Sequence, residues 1–114
     1  MVTLSVSAQI RGLLQSLGVD ETTFALALGV NGRTVKRWLE DDDVPQKEVR
    51  KRLEELERVN DHLYQTFNNA TAAQLWVQTD NRYLGGLKPS EALRGRRIDR
   101  VEAALVALDY GAFV

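Results

Sequence analysis

Apolar side chains recur along this chain at steps of three and four, and no run alternates convincingly at a period of two. Helices, not strands, are therefore predicted throughout. Ile10, Leu13, Leu14 and Leu17 mark a first helix, with Ser7 as its N-cap and Gly18 as its stop. A second helix follows Asp20 and ends at Leu28, before Gly29. A third starts near Asn31 or Gly32 and runs to about Glu40. Beyond Pro45, Val49, Leu53, Leu56, Val59, Leu63 and Phe67 recur at steps of 4, 3, 3, 4 and 4, which predicts one long amphipathic helix over 46–67. Glu54 and Glu55 stand one turn before Arg58 and support it. Asn68-Asn69 breaks that helix. A helix near 71–77, an irregular stretch through Gly85-Gly86, a short helix after Pro89 and a last helix from about 97 to 110 complete an all-α fold. The expected boundary lies at 68–70, giving a segment 1–68 that contains the long helix and a segment 69–114.

Residues 21–40 fit a helix-turn-helix. Such a unit needs apolar side chains at its fourth, eighth, tenth, fifteenth and eighteenth positions, here Phe24, Leu28, Val30, Val35 and Trp38. Its fifth position must be small where the helix backbones approach, and is Ala25. Its ninth must accept positive φ, and is Gly29. The second helix then exposes Asn31, Arg33, Thr34, Lys36 and Arg37, side chains able to reach base edges or phosphates. The alternative is a solvated basic face on a unit reused for protein contacts.

Charge changes this picture only when resolved along the chain. The 114 residues carry 15 Lys+Arg and 16 Asp+Glu, a net charge of −1 that by itself argues against nucleic acid. Yet Arg33, Lys36 and Arg37 cluster within five positions, and Lys47, Arg50, Lys51 and Arg52 make the start of the long helix basic. Lys47, Arg50 and Lys51 are candidate phosphate contacts beside the recognition helix. Between the clusters stands Asp41-Asp42-Asp43, which would repel a DNA backbone unless it faces away from the duplex. One copy of so weakly charged a chain should bind DNA weakly, so assembly of two or more copies is expected. The long helix either joins the two halves by packing on both or forms a dimer seam with Asn60 as a polar register residue.

The length allows one domain or two very small ones. The absence of cysteine excludes a disulfide framework, a Cys-ligated zinc site and a thiol nucleophile. No apolar run approaches the length of a membrane span and no secretory signal opens the chain, so a cytoplasmic protein is expected. His62, the sole histidine, sits beside Asp61 on the long helix and reads as a surface or interface residue. No nucleophile–base pair or metal-ligand spacing is present, so neither catalysis nor a cofactor is expected. Asn69-Ala70-Thr71 matches a glycosylation acceptor only by chance in such a chain.

The segment 29–45, with its Gly-Val-Asn, Thr-Val, Arg-Trp and closing Pro, resembles the DNA-binding domain of Xre-class, phage-repressor-like regulators. A second pattern follows it: Trp76, Asn81, Leu84-Gly85-Gly86, Lys88-Pro89-Ser90-Glu91-Ala92-Leu93, Gly95, Asp99-Arg100-Val101, Leu105, Leu108, Gly111 and Phe113. It resembles the toxin-binding domain of the MbcA/ParS/Xre antitoxin family, departing from it at Lys88, where the family usually has Thr or Ser. The resemblance implies a RES-domain toxin as partner, an enzyme that destroys NAD, whose active site the C-terminal domain caps while the DNA-binding half represses the shared operon. It also implies that the tail enters the toxin's cleft, which makes Tyr110, Gly111, Ala112, Phe113 and Val114, with Arg96, Arg97 and Arg100, the candidate toxin-binding residues. A homodimer or a higher hetero-oligomer with the toxin is expected. The competing readings are a stand-alone repressor whose C-terminal segment only oligomerises, and an adaptor that has lost DNA binding.

Overall fold

A computed structural model describes residues 5–111. Among the described residues the chain forms seven α-helices and one 3₁₀ turn, and no strand, as the spacing predicts. The helices are α1 (Val6–Leu17), α2 (Glu21–Leu28), α3 (Gly32–Asp41), α4 (Lys47–Phe67), α5 (Ala70–Val77), α6 (Pro89–Arg94) and α7 (Ile98–Asp109), with the 3₁₀ turn Arg82–Leu84 between α5 and α6.

Local capping chemistry fixes most of these boundaries. Asp20, Asn31 and Asn69 each accept a hydrogen bond from the backbone N–H three residues on, and so start α2, α3 and α5. Gly18 and Gly29 end α1 and α2 in the left-handed conformation, and Asn68 does the same for α4. The Lys88 side chain has no acceptor to offer α6, but the Glu91 carboxylate accepts from the Lys88 N–H at 2.8 Å. One cap differs from expectation. Ser5, not Ser7, caps α1 by accepting from the Ala8 N–H, and Ser7 already lies inside the helix. A tertiary contact decides this, because Asp42 Oδ1 accepts from the Ser7 N–H at 2.8 Å.

The core is continuous through both halves. Phe24, Leu28 and Val35 of the helix-turn-helix belong to one buried cluster with Leu56 and Leu63 of α4, Leu93 of α6 and Leu105 of α7. The apolar stripe of α4 is spent inside the chain, since α1, α2, α5 and α7 all pack on this helix. Asn60 is likewise taken up within the molecule, accepting from the Ser16 hydroxyl at 2.7 Å. Trp76 is half-buried, its ring 6.0 Å from that of Phe67 and tilted by 44°.

Carbonyls left over at one helix end are satisfied from another helix. Those of Gln15, Ser16 and Gly18 at the end of α1 accept from Gln74, Tyr64 and Gln78. Arg11 donates to Leu39 at the end of α3, and Arg52 to Leu28 at the end of α2.

Candidate functional site

The helix-turn-helix geometry follows from residues 21–40. Phe24, Leu28 and Val35 are fully buried, Ala25 and Trp38 nearly so, and Val30 is half-buried at the turn. Gly29 adopts φ +72°, and a Cβ there would also lie 2.7 Å from the Arg96 guanidinium carbon. The turn therefore requires glycine, and a Cβ there would push the Arg96 guanidinium aside.

Arg33, Lys36 and Arg37 project from α3 into solvent and form no ion pair among the described residues. Asn31 and Thr34 are partly occupied, because Asn31 Oδ1 accepts from both the Thr34 N–H and its hydroxyl. Arg37 and Thr34 line a groove of about 430 Å³ with Val30, Trp38, Asp43 and Val49. The acidic triplet is thus divided. Asp42 faces away, seated at the positive N-terminus of α1, whereas Asp43 shares the groove with Arg37.

The basic start of α4 divides as well. Lys47 and Lys51 are exposed, while Arg50 lines a different groove with Val6, Gln9 and Leu53 on the α1 side. Arg52 turns inward to the Leu28 carbonyl at 2.7 Å. Further along α4 the surface becomes acidic. Burial, with Asp61 and Glu54 nearby, raises the Glu57 carboxyl above its ordinary pKa.

In the C-terminal half, the candidate residues fall at opposite ends of α7. Arg96 takes φ +61° and lies over Gly29, close to the last turn of α2. Arg97 donates two hydrogen bonds to Asp99, at 3.0 and 2.9 Å, which hold the Asp99 carboxyl below its ordinary pKa. Arg100 is exposed. Tyr110, 85% exposed, and Gly111, with φ +72°, lie past the far end of this twelve-residue helix. At 1.5 Å per residue that is about 18 Å away. Arg96, Arg97 and Arg100 therefore do not converge on Tyr110 and Gly111. Ala112, Phe113 and Val114 lie outside the described residues.

Sequence reasoning passed over the contacts that dock the two halves. Arg94 donates to the Thr23 hydroxyl at 3.1 Å, and His62 bridges Glu102 and Asp109. The seven-residue spacing of the two acids, which puts both on one helix face, was the available signal for the second contact. No group of three or more His, Cys, Asp or Glu among the described residues could hold a metal ion. No helix there is long and apolar enough to cross a membrane.

Residues 62–111 match the family model of the antitoxin Xre/MbcA/ParS C-terminal toxin-binding domain. The chain resembles the Xre/MbcA/ParS antitoxins. The likeness extends well beyond that domain. Mycobacterial cidal antitoxin MbcA of Mycobacterium bovis is 29% identical over 109 residues, covering 96% of this chain and 96% of the relative. The Mycobacterium tuberculosis protein of the same name matches equally. The fold also matches a chain in the crystal structure of the M. tuberculosis MbcT–MbcA toxin–antitoxin complex, with a TM-score of 0.69 and 28% identity. That match covers 98% of this chain and all of the other. The match thus spans α2 and α3 together with the C-terminal helices.

Proposed function

We propose that this chain is the antitoxin of a type II toxin–antitoxin pair, a non-enzymatic protein that binds and blocks a RES-domain, NAD-degrading toxin. The observation that carries the reading is the match to a toxin–antitoxin complex component along nearly the whole chain, joined to the toxin-binding family match over 62–111. In this reading residues 69–114 form the toxin-binding unit. Tyr110 and the tail 111–114 enter the toxin's cleft, while Arg96, Arg97 and Arg100 at the other end of α7 meet a separate part of its surface.

Residues 1–68 form the DNA-binding unit and repress the shared operon. Support comes from the helix-turn-helix packing and from Arg33, Lys36 and Arg37, which are exposed and free of ion pairs among the described residues. Arg33 and Arg37 read base edges, with Asn31 and Thr34 setting the start of the helix. Lys47, Arg50 and Lys51 add phosphate contacts, and binding depends on a dimer or on a larger assembly with the toxin.

Two assays separate this reading from its competitors. Co-purification with a RES-domain protein is expected, and its absence would favour a stand-alone repressor. A gel shift with the DNA upstream of the chain's own reading frame is expected, and no shift would leave only the toxin-binding role.

A further inference from the structure

His62 stands apart from both proposed surfaces, half-buried where α4 packs against α7. Its Nδ1 lies 2.6 Å from Glu102 Oε1 and its Nε2 lies 2.5 Å from Asp109 Oδ2. The second Asp109 oxygen accepts from the Thr66 hydroxyl at 2.8 Å, one turn further along α4. Glu102 Oε2 is buried and has no hydrogen-bond partner among the described residues, so that carboxylate is held by His62 alone. A neutral imidazole has one N–H and one lone pair, and only the imidazolium donates to both carboxylates. Loss of the proton turns one of these bonds into a lone pair facing a carboxylate oxygen.

We propose that a proton held on His62 clamps the last two turns of α7 to α4, so that the order of α7 through Tyr110–Gly111 depends on pH. The Glu102 and Asp109 charges favour that proton, and the other charged groups near it are few. Asp61 and Arg58 of α4 line the same recess as His62 and Glu102, and Asp99 and Glu55 line the adjoining one. Among the other helices on α4, α5 carries no titratable side chain, Arg11 of α1 turns to Leu39, and Glu21 of α2 is exposed. Burial works against the imidazolium, but its hydrogen bonds to Asp109 and Glu102 and their charges outweigh that cost. The pKa of His62 is raised above its ordinary 6.5. The clamp is therefore complete below pH 6.5 and is lost as pH rises through the raised value.

The inference stands apart from the antitoxin reading and is tested on the free full-length chain. His62 is the sole histidine, so its ring signals in an NMR titration are unambiguous. Amide hydrogen exchange, corrected for intrinsic rates, is followed over the same range, from about pH 6 to about pH 9. A midpoint above 6.5 is expected. Protection at 105–110 should fall by about tenfold across it, the loss of one charge-assisted hydrogen bond, while α2 and α3 stay unchanged. Asp109→Asn should lower the midpoint, and His62→Gln should remove the pH dependence of α7. A midpoint at or below the ordinary value would overturn the proposal, as would protection of α7 that does not follow it. If His62→Gln does not fold, the Asp109→Asn midpoint decides.

Discussion

The two halves of this chain meet at two junctions of different chemistry. Where α2 packs on α6, Arg94 donates to a threonine hydroxyl and Arg96 covers Gly29. Where α4 packs on α7, an imidazole joins two carboxylates. Both junctions sit over one continuous apolar core. The contrast separates what holds the halves together, which is shared burial, from what can loosen one end of the molecule while leaving the other alone.

The largest effects should come from the core itself. Phe24→Ala on α2 should cost about 3–5 kcal/mol and Leu105→Ala on α7 about 2–5 kcal/mol, since both side chains are fully buried. Each variant should unfold in a single transition whether followed by a probe in the helix-turn-helix or by one in α7. Two separate transitions would break the comparison, because the halves would then be independent.

A smaller loss, about 1–2 kcal/mol, is expected for Gly29→Ala from its left-handed backbone alone. Displacement of the Arg96 guanidinium adds to it. The same substitution in an Arg96→Ala background should therefore cost less, and a double-mutant cycle by thermal denaturation reads the difference. Equal costs in both backgrounds would remove Arg96 from the first junction.

The smallest effect sharpens the contrast in pH. The Asp20 carboxylate caps α2, and its hydrogen bonds from Thr23 hold its pKa below the ordinary 3.8. Its contribution is complete above that ordinary value and is lost as pH falls through the lowered one. This is opposite in sign to His62. Asp20→Ala should cost about 1 kcal/mol at neutral pH and progressively less in acid, as measured by denaturant unfolding across pH.

These contrasts also mark what was legible in the chain. Helices and most caps were, because Asp20, Asn31, Gly29 and Asn68 act through bonds to their own neighbours in sequence. The first cap was not. Ser5 and Ser7 are locally equivalent, and Asp42, thirty-five residues away, takes the Ser7 N–H. The basic face of α3 was readable from spacing, since an exposed helical stripe needs no partner to define it. The fates of Arg50 and Arg52 were not, because only tertiary packing turns one toward α1 and the other inward to Leu28. That Arg96 and Arg97 stand at the opposite end of α7 from Tyr110 was not legible either, because only the helix between them sets that distance.

The antitoxin reading is tested most directly by intracellular NAD in cells expressing a RES-domain toxin with and without this chain. NAD should stay at the toxin-free level when the full chain is present, and fall when the chain lacks residues 111–114. An equal fall in NAD with and without the full chain would contradict the account.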